Sequence, residues 1–231
     1  MEKTVKQVIG IVSYLPTDNY QARQQRLLRL LEQLRNYWPF LPIIIIAQNW
    51  RNNSFLPTDL DITVFNYKDG LGILKARQTL REKFLEMDYE QLIMFDDDAV
   101  IETTYENAQN FIKTCMDHPR GFMFLKGHRR DPLGIYDPAQ LNGCCISRWL
   151  IEAEPIRDEW DPQKYGIFED VVYAHLFHWK YPEYEFDTFG LACVQWSNPK
   201  YPLKSTWVIT DRQCVHKTAA YLIQLRQEVR K

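Results

Sequence analysis

LIMFDDDAV, residues 92–100, runs four apolar residues straight into three consecutive carboxylates, Asp96, Asp97 and Asp98. A buried strand gains no stability by ending on a triplet of like charges. Two such charges about 4 Å apart repel by roughly 1 kcal/mol in water and about 4 kcal/mol at an effective dielectric of 20. Taking them out of bulk water therefore calls for a proton, a cationic side chain or a metal. In an extended backbone Asp96 and Asp98 point to one side and Asp97 to the other. Hard oxygen ligands in that arrangement suit Mg²⁺ or Mn²⁺, and an ion of this kind keeps waters and adds phosphate oxygens. Two carboxylates then suffice when a diphosphate supplies the rest. The competing reading is an acidic loop or a helix N-cap, and the surrounding pattern weighs against it.

That pattern alternates. Residues 8–12 form a short apolar run ending at Ser13-Tyr14-Leu15-Pro16, a strand feeding a loop. Residues 21–38 carry Leu27, Leu30, Leu31 and Leu34 at spacings of three and four, an amphipathic helix stopped near Pro39. Residues 43–47 are apolar on every side, as in a central strand covered on both faces. Residues 62–65 are a third strand, 74–87 a second helix and 92–95 a fourth strand. This order predicts an α/β sandwich around a mainly parallel sheet. Ligands of such sheets bind beyond the carboxyl ends of the strands, where the triplet lies.

The remainder is less regular. Residues 105–115 read as a helix, 121–126 (GFMFLK) as a strand and 127–137 (GHRRDPLGIYD) as a loop. Order returns over 144–151, a helix is expected over 168–179, and residues 182–204 are rich in Pro and aromatics. A terminal helix over 218–229 has Leu222, Leu225 and Val229 on one face. No repeat or interdomain linker is visible, and 231 residues fit a single domain.

Composition narrows the function. A net charge of −2 gives no global basic field, so stable nucleic-acid binding is not expected. Five cysteines, an odd count without a CxxC pair, read as free thiols in a reducing compartment, the cytoplasm. No signal peptide is read at the start, and no apolar stretch approaches the roughly 18 residues of a membrane span. Arg226, Arg230 and Lys231 allow a peripheral membrane contact, although a solvated helix end explains them better. Seven Trp and thirteen Tyr fill cores, and such rings also stack on sugars.

FDDDAV resembles the DxD motif of nucleotide-sugar-dependent glycosyltransferases with the GT-A fold, in particular family-2-like enzymes. The resemblance implies a Rossmann-like α/β/α sandwich. It implies that Asp98 ligates the divalent ion bridging the donor diphosphate, that Asp96 joins it or contacts the donor ribose or sugar, and that Asp97 stands beside them. Three further stretches follow the family order. DGLGILKAR, residues 69–77, is similar to the segment opening the helix before DxD, with Gly72 allowing close backbone approach and Arg77 holding the acidic cluster or a phosphate. LNGCC, residues 141–145, resembles the glycine loop before the catalytic acid, with Gly143 passing close to the sugar. FED, residues 168–170, resembles the x-Glu-Asp motif of inverting enzymes. There Asp170 is the general base on the acceptor hydroxyl and Glu169 orients acceptor or loop. Acids also simply suit a helix start. His216, in CVHKTAAY, matches the position of a third metal ligand, and Lys217 would meet the diphosphate.

The match departs in two places. The turn after the first strand leaves only Tyr14 as a base contact. The acid that family members place after the second strand is replaced by Gln48 and Asn49, either of which can hydrogen-bond a base amide. UDP is expected on prevalence. The resemblance thus implies a single GT-A domain, with a nucleotide-sugar-binding half over residues 1–100 and an acceptor-binding half over 101–231. It would be an inverting, Mn²⁺- or Mg²⁺-dependent glycosyltransferase acting on a glycan or other hydroxyl acceptor. The rivals are a nucleotidyltransferase making activated sugars and a non-catalytic nucleotide-sugar or carbohydrate binding module. The first usually needs a Gly-rich basic loop after strand one, and residues 12–20 (VSYLPTDNY) contain no Gly, Lys or Arg.

Overall fold

The computed structural model of the chain describes residues 5–18, 20–125, 140–161, 164–187, 192–195 and 212–230. The loop read at 127–137, with His128, Arg129 and Arg130, and much of the stretch over 182–204 lie outside them.

Four strands run parallel: β1 (Gln7–Tyr14), β2 (Ile43–Gln48), β3 (Ile62–Tyr67) and β4 (Gln91–Asp96). Two more, β6 (Phe122–Leu125) and β7 (Gln140–Ser147), complete a six-stranded sheet in the order β3-β2-β1-β4-β7-β6. In it β7 is antiparallel to both neighbours. The chain moves outward from β1 to β3, then returns to place β4 on the other side of β1. With right-handed crossovers the two helices that link these strands lie on opposite faces. The junction of β1 and β4 is the topological switch point, where the crevice of an α/β sheet opens.

The packing agrees. Helix α1 (Tyr20–Tyr37) and α3 (Tyr105–Asp117) cover one face, meeting Ile9, Ile11, Ile45, Ile93 and Phe95. Helices α2 (Ile73–Glu86), α4 (Arg148–Ala153), α5 (Glu169–Lys180) and α6 (Arg212–Val229) cover the other, over Val8, Val12, Ile44, Ile46 and Leu92. Odd and even strand residues therefore feed different cores, as the pleat dictates. Leu27, Leu30, Leu31 and Leu34 of α1 are fully buried. Each such side chain contributes roughly 1.5–3 kcal/mol of burial free energy, which fixes α1 against the sheet. Cys115, Cys144 and Cys145 are buried free thiols.

Three readings change. A strand β5 (Ala99–Glu102), absent from the periodicity, leaves the acidic triplet and pairs antiparallel with β8 (Ala192–Gln195). Because β5 starts so soon, the backbone is not extended through the triplet: β4 ends at Asp96, and Asp97 and Asp98 form the turn. LNGCC is not a loop but part of β7. The pairing of β6 with β7 shifts register between Met123 and Leu125, and Gly143 sits in the shifted stretch of β7 at φ 81. A strand bulge commonly needs one residue in this left-handed region, which glycine enters at no steric cost.

Candidate functional site

The site is built where β1 overruns β4. Val12 is level with Asp96, so Ser13 and Tyr14 extend past the end of β4 and lie beside the turn. Asp97 fills that step. Its carboxylate accepts from the Ser13 hydroxyl at 2.8 Å and the Tyr14 backbone N–H at 3.0 Å, and Arg23 of α1 reaches it at 3.5 Å. The Trp50 indole N–H donates to the same Ser13 oxygen at 3.3 Å. Burial raises the Asp97 pKa, while Arg23, Ser13 and the Tyr14 N–H work in the opposite direction. Asp97 is therefore the joint that fixes the turn to β1, rather than an open ligand.

Asp98 follows in the turn, with Arg26 of α1 at 3.7 Å. Burial, then the adjacent charges of Asp97 and Asp96, push its carboxyl up to about 7. Asp96 turns elsewhere. Its two oxygens meet one nitrogen of Arg77 on α2 at 3.0 and 3.3 Å. The expectation that Asp96 and Asp98 share a side is thus corrected: Asp96 meets α2, and Asp97 and Asp98 meet α1. The turn breaks the strand alternation, and three consecutive like charges separate toward three different guanidiniums.

Arg77 is almost wholly buried and also hydrogen-bonds the Glu169 carboxylate at the start of α5. One guanidinium thus joins the DDD and FED motifs, which are separated by about seventy residues of the chain. Burial opposes the charge on Arg77, but Asp96, Glu169 and Asp170 outweigh it and hold its pKa above the usual value. At Glu169 the balance reverses. Burial lifts its carboxyl to about 7 against the pull of Arg77, and the charges of Asp170 and Asp96 add to the lift. Asp170 is half-buried in the first turn of α5, where its carboxylate accepts the Val171 N–H at 2.8 Å. The Phe168 N–H donates to Thr218 of α6 at 3.1 Å, which ties the start of α5 to α6.

The other sequence candidates fall in different places. Gln48 is buried, and its side-chain oxygen accepts the Leu71 N–H at 2.7 Å, bracing the loop before α2. Asn49 is half-buried and adopts φ 58, an uncommon conformation for a residue other than glycine. A Cβ at Gly70 would lie 3.5 Å from the Tyr14 ring and 3.7 Å from the Asn49 amide nitrogen, so these three converge at the rim. Gly72 precedes α2 at φ 77, beside a cavity of about 210 Å³ lined by Lys75, Gln78, Asp158 and Lys164 among others. Gly143 is buried in β7, the neighbour of β4. His216 and Lys217 are exposed on α6, two residues and one residue before Thr218. Among the described residues neither makes a hydrogen bond or ion pair with the aspartates.

Among the described residues no three of His, Cys, Asp and Glu gather closely enough to hold a metal unaided. The charge balance still suits a cation. Among the described residues, the five carboxylates of Asp96, Asp97, Asp98, Glu169 and Asp170 gather around the three guanidiniums of Arg23, Arg26 and Arg77. Asp98, partly exposed and 3.7 Å from Arg26, fits a cation better than Asp96, whose two oxygens both meet Arg77 at 3.0 and 3.3 Å. Sequence reasoning missed Ser13, Arg23 and Arg26. A signal for Arg26 was present: it occupies the row of Ala22, Leu30 and Leu34 on α1.

No family model matches the chain, and no curated protein does. Solved structures do. Staphylococcus aureus TarS, residues 1–349 in complex with UDP-GlcNAc, aligns at TM-score 0.51 and 13% identity over 74% of this chain and 52% of that one. HddC from Yersinia pseudotuberculosis complexed with GMP-PN aligns at TM-score 0.48 and 13% identity, over 94% of this chain and all of that one. The bifunctional IspDF from Campylobacter jejuni aligns at TM-score 0.43 and 11% identity, over 64% and 42%. This chain spans about half the length of the TarS fragment. The likeness to TarS shows the fold: an α/β sandwich with a mixed, mainly parallel six-stranded sheet, of the GT-A and nucleotidyltransferase type.

Proposed function

We propose that the chain is an inverting glycosyltransferase that moves a sugar from a nucleotide-sugar donor, a UDP-sugar, to an acceptor hydroxyl in glycan synthesis in the cytoplasm. The observation that carries this reading is the Arg77 guanidinium, which holds Asp96 and Glu169 at once and so brings the donor-type motif and the base-type motif to one place. In this reading Tyr14, Asn49 and the loop braced by Gln48 receive the base, and Gly143 and Lys217 approach sugar and phosphates. Asp170 takes the acceptor proton as that oxygen bonds the anomeric carbon. The bond from the anomeric carbon to the diphosphate breaks on the opposite face, and the nucleoside diphosphate leaves with the electron pair. Asp98 would hold a Mn²⁺ or Mg²⁺ ion, with Asp96 and His216 as further candidates, and the ion would supply positive charge to the departing diphosphate. The fold serves nucleotidyltransferases too, but here the N–H of Tyr14 and the hydroxyl of Ser13 are spent on Asp97 instead of lying open to phosphate. The TarS complex with UDP-GlcNAc supports a nucleotide-sugar ligand. No helix among the described residues is long and apolar enough to cross a membrane.

The test is donor hydrolysis or transfer measured with Mn²⁺ in the wild type, Asp98→Ala and Asp170→Asn. Both variants should lose about 100-fold or more of turnover, Asp170→Asn through its base role. Unchanged turnover in both would sink the assignment. Donor binding without turnover over a broad acceptor panel would favour the binding-module reading.

A further inference from the structure

Arg26 is a charged residue in a core position. Helix α1 buries the row Ala22, Arg26, Leu30 and Leu34, spaced four apart, and Arg26 is only 4% exposed. A leucine there would complete the stripe; a guanidinium gives up that burial and must also be desolvated. Across the interface it forms an ion pair with Asp98, at 3.7 Å. Arg23, one turn earlier on the same face of α1, stands 3.5 Å from Asp97, a carboxylate already served by Ser13 and Tyr14. Charge-assisted Arg–carboxylate bonds that serve stability are short, about 2.7–2.9 Å. Arg77 approaches that range with Asp96, whereas Arg23 and Arg26 stand off from their aspartates.

We propose that Arg26, with Arg23 beside it, is the resident counter-ion of the acidic turn: it holds Asp98 when no divalent cation is bound, yields it when one binds, and then faces the donor diphosphate. This rests on the reading of the turn as a cation and diphosphate site. A cation on Asp98 and a guanidinium against it compete for the same carboxylate charge. The displaced guanidinium keeps five N–H donors in a rigid fork, which matches phosphate oxygens. Metal and nucleotide then favour one and the same rearranged state, so each raises the affinity of the other by an equal factor. The chain would bind the metal weakly alone and well with the nucleotide, which keeps an unproductive metal-only state sparse.

The experiment titrates Mn²⁺ by electron paramagnetic resonance into the full chain, with and without UDP. It uses wild type, Arg26→Gln, Arg26→Lys and Arg23→Gln, with folding verified by circular dichroism. Arg26→Gln should bind Mn²⁺ alone about fivefold or more tighter than wild type and gain less from UDP. Arg26→Lys, which keeps the charge, should stay near wild type. If Arg26→Gln does not fold, the half-buried Arg23→Gln carries the test, with Mn²⁺ tightened about threefold. Unchanged or weaker Mn²⁺ binding in the folded glutamine variants overturns the counter-ion role while leaving the metal site standing. A wild type that binds no Mn²⁺ with or without UDP overturns both.

Discussion

The two sides of the acidic turn are built differently. On the α2 side one buried guanidinium, Arg77, serves two carboxylates from distant parts of the chain, with close contacts. On the α1 side two guanidiniums, Arg23 and Arg26, face two adjacent carboxylates at 3.5 and 3.7 Å. The first arrangement is a hinge pin: removing the cation strips the buried Glu169 of the guanidinium it faces and Asp96 of its contact with α2. The second is loose, with charge matched in kind but not in distance. The difference separates what holds the site together from what is placed to rearrange within it.

The largest effect should come from breaking the tight side. Arg77→Met leaves the Glu169 carboxylate buried without the guanidinium it faces. Breaking a buried pair by removing one partner costs about 3–5 kcal/mol, and urea denaturation should report a loss of that order. Arg77→Lys should recover only part, because an ammonium cannot span Asp96 and Glu169 as the planar fork does. Adding Glu169→Gln to Arg77→Met should restore part of the loss. A loss under about 1 kcal/mol for Arg77→Met, the size of an exposed ion pair, would remove the contrast between the two sides.

Asp97 tests the joint between them. Asp97→Ala leaves the buried Ser13 hydroxyl and the Tyr14 N–H without their acceptor, at about 1–3 kcal/mol by denaturation. Asp97→Asn keeps one acceptor oxygen and should cost less. Both should loosen the turn, and Asp97→Ala should speed hydrogen exchange at the Tyr14 amide. An unchanged exchange rate there would mean that the turn does not depend on Asp97.

How much of this the sequence disclosed depends on the range of each contact. The strand into DDD was legible because apolar runs and strand ends are local, and so was α1 through its leucine row. Arg77 was legible as a neighbour of the acidic cluster, and its partner Glu169 only as part of a separate motif. Their shared bond depends on how α5 docks against α2, which no local pattern encodes. β5 escaped because four residues carry no usable period and its partner β8 lies some ninety residues away. Gly143 read as part of a glycine loop because its bulge exists only against β6. The even-sided view of the triplet failed for a like reason: the extended backbone was assumed to continue past Asp96, and β5 turns it. Arg26 was hidden by its own helix, whose leucines made the row look complete.

The smallest effect sharpens the loose side. Asp98 has its carboxyl raised to about 7 by burial and by Asp97 and Asp96. A raised carboxyl binds its proton more tightly in the folded chain than in the unfolded one. Its contribution to stability is therefore present in acid and lost as pH rises from the ordinary carboxylate range to about 7. A divalent cation competes for the same oxygens and offsets that loss where the proton is gone. Mn²⁺ at ten times its dissociation constant should then stabilise the fold by about 1.4 kcal/mol at pH 8. In a chain of this length that raises Tm by about 3–5 °C. At pH 5.5 the proton holds Asp98 and the rise should shrink toward zero. Asp98→Asn should abolish the rise at pH 8, and Asp170→Asn should keep it, because Asp170 belongs to the α5 side of Arg77. An equal rise at both pH values, or one that survives Asp98→Asn, would put the cation outside the turn and make the spacing of Arg23 and Arg26 a matter of packing alone.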